Sequence, residues 1–155
     1  MKTFRILILL LFFSSFAYGQ NYEKAVGLRF GLHNGLSYKQ FITHQTAIEG
    51  IIATRWHGWE IVGLLEYNNE LDSNGSLVWY YGFGGHLGSY SSVYTHWDGT
   101  TESYMVIGVD GILGIEYKFD NIPLAVGLDW KPYFNIIGYS RFFGDGGGLS
   151  VRYTF

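Results

Sequence analysis

Apolar and polar residues alternate through three successive segments at the end of the chain. In the first, apolar residues occupy odd positions from Ile107 to Phe119, between glycines and charged residues. The second, Leu124 to Ile136, has its apolar residues at even positions, and the third ends the chain at Phe155. Because successive side chains of a strand point to opposite faces, the pattern predicts three strands, each with one apolar and one small or charged face.

The same period of two recurs in five earlier segments, and the eight together predict one antiparallel sheet closed into a barrel. The earlier segments start at Val26, Leu36, Thr46, Trp59 and Leu77. Asn34-Gly35 predicts a tight hairpin turn between the first two, and the longest predicted loop runs from Tyr90 to Ser103 and contains Asp98-Gly99. No segment of helical period follows the first twenty residues. The predicted fold class is all-β, with eight strands running alternately up and down.

The start of the chain has the pattern of a secretory signal peptide. Lys2 and Arg5 precede an apolar run of eight residues, and Ala17-Tyr18-Gly19 supplies small residues before the predicted cut. The run is too short to span a bilayer as a helix, and a packed N-terminal helix is the alternative. We therefore expect a signal peptide over 1–19 and one barrel domain over 20–155.

Composition argues against nucleic acid binding and against a disulfide-stabilised fold. Without Lys2 and Arg5, eight Lys and Arg face 13 Asp and Glu, a net charge near −5 with His neutral. Nucleic acid binding needs a clustered basic surface and is not expected. The chain has no Cys, so no disulfide framework holds the exported domain, and strand pairing and packing must do so.

The charges on the polar faces indicate which face lines the inside of the barrel. They number six basic and six acidic residues, interspersed with glycine: Arg29, Lys39, Glu49, Arg55, Glu60, Glu66, Asp110, Glu116, Lys118, Asp129, Lys131 and Arg152. Opposite charges can neutralise one another across a narrow lumen, so we predict that this set forms a lumen charge network. The alternative is the wet outer face of a soluble barrel whose apolar faces enclose a ligand.

Aromatic residues at the strand ends favour a membrane barrel. They sort into a lower ring and an upper ring, with both chain ends at the lower side: Tyr67, Trp79, Tyr81, Tyr117, Phe119, Tyr153 and Phe155 below, and Trp56, Trp59, Trp130 and Phe134 above. Transmembrane barrels carry such girdles at both interfaces. Pro132 falls on the outward face of the seventh strand and cannot donate to the ladder, which predicts a bulge there or the exit of the strand from the membrane.

Three parts of the chain resemble a known class. Val151, Tyr153 and Phe155 look like the C-terminal assembly signal of outer-membrane barrels, and 110–132 with 146–150 is similar to uncharacterised barrels of this size. The chain thus resembles the small eight-stranded bacterial outer-membrane β-barrels of the OmpA-like and OmpX-like kind.

That resemblance implies residence in the bacterial outer membrane and contact with its lipid and lipopolysaccharide. It also implies assembly by the barrel-assembly machinery, through Val151, Tyr153 and Phe155, and it carries no activity over. The predicted loops are short, which argues against adhesin-like or receptor-like functions. We expect a monomer with a structural or interaction role at the envelope.

Neither a catalytic site nor a cofactor or metal site is predicted. The chain has five histidines, His33, His44, His57, His86 and His96, and all but His86 fall in or beside predicted turns. None pairs with a Ser on an outward face near a membrane rim, as a lipid A deacylase would require. The glycine-rich segment 144–148 lacks the Lys and Ser or Thr of a phosphate loop, and the acidic turns lack the spacing of a Ca²⁺ loop.

The predicted lumen has room only for side chains, because eight strands enclose little space. Asp110 and Lys131 fall on a diagonal across neighbouring strands, and an inward salt bridge between them is predicted. A plugged barrel is therefore favoured. A narrow channel and a lipid A-modifying enzyme are the alternatives, and a secreted lipocalin-like carrier is a more distant one.

Overall fold

In the computed structural model, the described residues 22–55, 57–91, 103–138 and 140–155 form ten β-strands. In chain order they are β1 (Lys24–Gly31), β2 (Asn34–Phe41), β3 (Thr46–Arg55), β4 (Gly58–Glu70), β5 (Leu77–Ser91), β6 (Ser103–Lys118), β7 (Leu124–Trp130), β8 (Tyr133–Ile137), β9 (Phe142–Phe143) and β10 (Gly147–Thr154). No helix in this part of the chain is long and apolar enough to cross a membrane. Four predicted features lie outside the described residues: the signal peptide, Trp56, His96 and Asp98-Gly99.

The ten strands close into a barrel of eight. Every pairing is antiparallel; β1 pairs with β2 on one edge and with β10 on the other, and β5 pairs with both β4 and β6. β7 and β8 follow one another along the same edge of β6, so they are two parts of one barrel strand. β9 and β10 likewise make up the last one. The predicted all-β, eight-stranded antiparallel up-and-down barrel is confirmed.

The barrel has a lower end, where both ends of the described chain meet, and an upper end. The Lys24 N–H donates to the Phe155 carbonyl at 2.9 Å. The turns 42–45, 71–76 and 119–123 lie at this lower end, and the turns after β1 and β3 lie at the upper end. The connections described are short, so strand ends fix the positions of the side chains at each mouth.

Side chains alternate between exterior and lumen along the strands. On β6, Ile115 is 48% exposed and its neighbour Glu116 is 3% exposed. On β7, Leu128 and Asp129 differ in the same way. Soluble proteins place apolar residues inside and charges outside, and this barrel has the reverse arrangement. A small apolar cluster also lies inside, made of Ile51, Ala53, Val62, Leu64, Tyr80 and Ile112.

The first hairpin turn lies earlier than predicted. β1 ends at Gly31 and β2 begins at Asn34, so Asn34-Gly35 is part of a strand, with Gly35 opposite Arg29. Gly31 has a φ of 146°, which glycine adopts without the steric cost that other residues meet. The Gly31 N–H donates to Asn34 Oδ1 at 3.1 Å. Asn34 therefore supports the turn from its flank, and the prediction of a turn at Asn34-Gly35 was wrong.

The seventh barrel strand is interrupted at Pro132, where a bulge or exit was predicted. β7 ends at Trp130 and β8 resumes at Tyr133. Trp130 pairs with Gly147, whereas Tyr133 pairs with Phe143. Between these two pairs the seventh barrel strand advances by three residues, from Trp130 to Tyr133, and the last one by four, from Phe143 to Gly147. The extra residue of the bulge belongs to the last strand, opposite the proline.

Candidate functional site: the charged lumen

The inward side chains form the candidate site. Eleven of the twelve residues predicted for the lumen charge network are buried, each at most 7% exposed: Arg29, Lys39, Glu49, Arg55, Glu60, Glu66, Asp110, Glu116, Asp129, Lys131 and Arg152. The twelfth, Lys118, is partly buried at the lower mouth. Buried charges are tolerated only when they are paired, so the contacts among these groups define the site.

Arg152 joins three partners in the lower half of the lumen. It donates to Glu49 Oε1 at 2.5 Å, to Glu116 Oε2 at 2.7 Å and to Ser37 Oγ at 3.2 Å. Tyr22, which precedes β1, donates its hydroxyl to Glu116 Oε1. Burial, with the negative charge of Glu116, raises the pKa of Tyr22 well above its ordinary value. The phenol therefore stays a proton donor at physiological pH.

Lys39 continues the lower network across the barrel. Its Nζ lies 2.9 Å from Glu66 Oε2 and donates to Asn68 Oδ1 at 2.9 Å. The same ammonium lies 4.5 Å from the centroid of the Tyr80 ring, a favourable cation–π distance. Lys39 thus contacts an acid, an amide and an aromatic ring, all of them inside the barrel.

Arg29 and Asp129 form a bidentate pair in which each guanidinium terminal nitrogen donates to one carboxylate oxygen. Such pairs combine strength with fixed geometry. A Cβ added at Gly148 would lie 2.5 Å from the Arg29 guanidinium. The glycine on this inward face therefore makes room for a long charged side chain from the neighbouring strand.

Lys131 is central to the upper half of the lumen. Its Nζ lies 2.6 Å from Asp110 Oδ1 and 3.3 Å from Glu60 Oε1, and the predicted Asp110–Lys131 salt bridge is confirmed. His86 Nδ1 lies 2.7 Å from Asp110 Oδ2. The Tyr90 hydroxyl donates to Glu60 Oε2. Asp110 is thus held by Lys131 and His86. Glu60 is held by Lys131, by Tyr90 and by His33, whose Nδ1 lies 3.3 Å from Glu60 Oε2.

Arg55 closes the top of the network. It donates to Nε2 of His33 at 2.7 Å, to the Tyr133 hydroxyl at 2.8 Å and to Asp145 Oδ2 at 2.8 Å. Burial lowers the pKa of His33, in the first turn, below its ordinary value. The neutral ring can therefore accept the hydrogen bond from Arg55. Phe143 stacks on Tyr133 with ring centroids 4.8 Å apart.

Two open hollows flank this packed lumen. The lower hollow, of about 1060 Å³, is bordered by Tyr22, Phe41, Asn68, Glu116 and Lys118 among others. The upper one, of about 720 Å³, lies between the turns after β1 and β3. Arg29, Tyr80 and Arg152 lie inside the barrel and are at most 1% exposed. These buried side chains occupy the space that a continuous passage would need.

The described lumen has acids, bases and amides but not the arrangement of a nucleophilic site. His86 Nδ1 lies 2.7 Å from Asp110 and its Nε2 lies 2.9 Å from Asn135. A catalytic histidine would need a nucleophilic hydroxyl or thiol at one of these nitrogens, and here an acid and an amide occupy both. Within the described ranges, no group of three or more His, Cys, Asp or Glu side chains is placed to hold a metal ion. His44 and His57 lie in turns at opposite ends of the barrel.

The residues of the predicted assembly signal lie on the outward face of the last strand. Val151 is 37% and Phe155 45% exposed. Tyr153 lies between them in the sequence, and its ring centroid is 6.2 Å from that of Phe155. The three side chains therefore form an outward aromatic and apolar row at the lower end.

The fold and the lumen together define a closed eight-stranded antiparallel β-barrel with an apolar exterior and an interior of paired charges. The chain is similar in structure to the N-terminal β-barrel domain of Pseudomonas aeruginosa OprF, with a TM-score of 0.64 over 85% of this chain and 95% of that one. The two sequences are 12% identical, so the likeness shows a shared fold. No family model matches the chain, and no curated protein matches it in sequence.

Proposed function

We propose that the chain is an integral bacterial outer-membrane β-barrel with a plugged lumen and a structural or interaction role at the envelope. Residues 1–19 act as a cleaved signal peptide and 20–155 as the barrel. The lower end faces the periplasm. Outer-membrane lipid and lipopolysaccharide surround the barrel, and the row Val151, Tyr153 and Phe155 is read by the barrel-assembly machinery.

One observation carries this proposal: large apolar side chains cover the outside while the charges lie inside. Ile52, Phe83 and Leu128 are 61%, 60% and 58% exposed, respectively. Exposed apolar area costs about 25 cal/mol per Å² in water, and soluble monomers rarely expose a continuous apolar surface. Apolar side chains that face the hydrocarbon core of a membrane do not carry that cost.

The aromatic residues of the lower ring support the same surroundings. Tyr81 stacks between Tyr67 and Trp79, with centroid distances of 5.6 and 5.4 Å. Tyr117 and Phe119 meet edge to face at 5.0 Å. Ringed aromatics of this kind are typical of a membrane–water interface, which supports placing the lower end of the barrel at one surface of the bilayer.

The packed lumen favours a structural or interaction role over the alternatives. A channel needs a wetted path, whereas the middle of this lumen is occupied by Arg29, Tyr80 and Arg152. A lipid-modifying enzyme needs a nucleophile and base within reach of the acyl chains, whereas His86 points inward to Asp110. A soluble carrier would turn its apolar face to the inside.

Membrane separation and gel migration test the proposal together. Expressed from its full gene, the protein is expected in the outer-membrane fraction and is expected to migrate faster unheated than boiled, because a closed barrel resists detergent unfolding. An outer-membrane protein and a periplasmic protein of the same cells serve as fractionation markers. Recovery in the soluble periplasmic fraction would contradict the proposal.

A further inference from the structure

The lower half of the lumen contains more buried acids than bases. Glu49, Glu66 and Glu116 lie with Lys39 and Arg152, and none of the five is more than 3% exposed. Three carboxylates against two cations leave one surplus negative charge if all are ionised. A surplus buried charge is costly in a low-dielectric interior, so the cluster needs one more positive charge or one proton.

The positive charges nearest to the cluster are engaged elsewhere or screened by water. Arg29 is engaged bidentately by Asp129. Tyr22 and Tyr80, which face the cluster from the N-terminal segment and from β5, are neutral phenols. Lys118 is at the mouth and only partly buried, where water screens its charge.

The hydrogen bonds show which oxygens are left over. Both oxygens of Glu116 have a donor, since one accepts from Tyr22 and the other from Arg152. Glu49 Oε1 accepts from Arg152, but within the described residues neither Glu49 Oε2 nor Glu66 Oε1 has a hydrogen-bond donor. The Lys39 ammonium is paired with the other oxygen of Glu66, Oε2, at 2.9 Å and donates to Asn68 Oδ1.

Glu49 and Glu66 are diagonal neighbours on the inward face of the β3–β4 ladder, because Glu49 pairs with Leu64 and Glu66 pairs with Ala47. Long side chains at diagonal positions are within reach of each other. Two carboxylates have no donor between them, because an ionised carboxylate only accepts. We propose that this pair is a proton-binding site, in which Glu66 keeps its proton at neutral pH and donates it to Glu49 Oε2. Glu49 is the ionised member because Arg152 holds its other oxygen at 2.5 Å.

The bound proton makes the lower cluster neutral, and its hydrogen bond joins Glu66 on β4 to Glu49 on β3. Glu66 is opposite Ala47 and Glu49 opposite Leu64 in the β3–β4 ladder, so the pair crosses that ladder inside the lumen. Glu116, a member of the cluster, and Asn68, which accepts from Lys39, also border the lower hollow, which gives the proton a route to water. Removing it would place two adjacent carboxylates in a dry interior and loosen the packing between β3 and β4.

Infrared spectroscopy of the full chain in detergent tests the site. The carboxylic acid C=O band of a protonated side chain is expected in the wild type at neutral pH and is expected to be lost in Glu66→Gln. Glu70→Gln, an exposed position on the same strand, is the matched control and should keep the band. A wild type without the band, or a Glu66→Gln variant that retains it in full, would overturn the proposal.

A second measurement separates a proton from a bound cation. Glu66→Gln imitates the protonated acid in charge and shape, so we expect it to fold and to lose the alkaline destabilisation that the wild type shows in heat-migration assays. If wild-type stability at alkaline pH is instead restored by Na⁺ or K⁺ at constant ionic strength, a cation occupies the site and the proposal is wrong. If Glu66→Gln does not fold, the wild-type band and its disappearance at high pH decide the question.

Discussion

Lys131 lies 2.6 Å from Asp110 on β6 and 3.3 Å from Glu60 on β4, two strands separated by β5 in the ring. One ammonium therefore holds together parts of the barrel wall that share no ladder hydrogen bonds. The contact is buried, with Lys131 only 1% exposed. This geometry makes the upper network a cross-brace of the barrel interior.

Replacing Lys131 by Met should destabilise the barrel strongly. Methionine fills similar volume but leaves Asp110 and Glu60 without their cation, and removing one partner of a buried ion pair typically costs about 3–5 kcal/mol. Urea unfolding in detergent micelles measures the loss. Lys118→Met, at the partly exposed lower mouth, is the control and should change the free energy of unfolding by under about 1 kcal/mol. Equal effects of the two variants would contradict the cross-brace.

Glycines of β4 and β5 should differ in their tolerance of alanine. A Cβ at Gly84 would lie 1.8 Å from the carbonyl oxygen of Gly63, whereas a Cβ at Gly63 meets nothing within 4 Å. We expect Gly84→Ala to destabilise the barrel by about 1–3 kcal/mol, because backbone must shift. Gly63→Ala should change stability by about 0.5 kcal/mol or less. Micelle unfolding of both variants checks this, and the reverse order would refute the assigned facing of these residues.

A charge placed on the outward face should interfere with membrane insertion. Phe83 is near the middle of β5 and 60% exposed. Phe83→Arg should cost about 2–4 kcal/mol of stability in a bilayer, as expected for Arg near the membrane midplane. Thr43→Arg, in a lower turn, is the control. Folding into lipid vesicles with urea measures both, and an unaffected Phe83→Arg would argue against lipid at this face.

Acid should weaken the top of the lumen through His33. Since burial lowers its folded-state pKa, the unfolded chain takes up a proton first, and the stability from neutral His33 is present above about pH 6.5 and falls below it. Arg55 and Lys131 disfavour a positive ring, while Glu60 favours it. His33→Gln should reduce the loss of unfolding free energy between pH 7 and acid, measured in micelles.

The matched control for that pH dependence is His44→Gln, in an exposed turn at the lower end. It should retain the wild-type acid profile. An acid profile that is the same in His33→Gln as in the wild type would show that other groups carry it.

The alternation of residue types was enough to predict the barrel and the direction of most side chains, because a period of two fixes the face of each residue once one face is assigned. The charges stand out in the sequence, so the lumen charge network could be named residue by residue. The positions of the turns were harder to predict from the sequence. Asn34-Gly35 has the composition of a hairpin turn, but the register with β3 and the freedom of Gly31 place the turn before it.

Apart from the Asp110–Lys131 pair, which lies on neighbouring strands, the partners of the charges could not be read from the sequence. Tyr22 and Asn68 are polar residues without a periodic signal, and their roles appear only when the barrel brings distant segments together. Tyr90 falls in a stretch predicted as loop, yet β5 continues through it and points its hydroxyl at Glu60. Ring closure sets these contacts, and a strand pattern carries no information about which strands face one another across a lumen.

The most direct test of the account is a scan of lipid and water accessibility along β6. The chain has no Cys, so single cysteines between Val106 and Lys118 can each carry one spin label in the vesicle-inserted protein. We predict that odd positions such as Ile107, Val109 and Ile115 collide with membrane-dissolved oxygen, and that even positions do not. Odd positions open to a water-soluble relaxation agent and closed to oxygen would contradict an apolar face turned to lipid around a charged lumen.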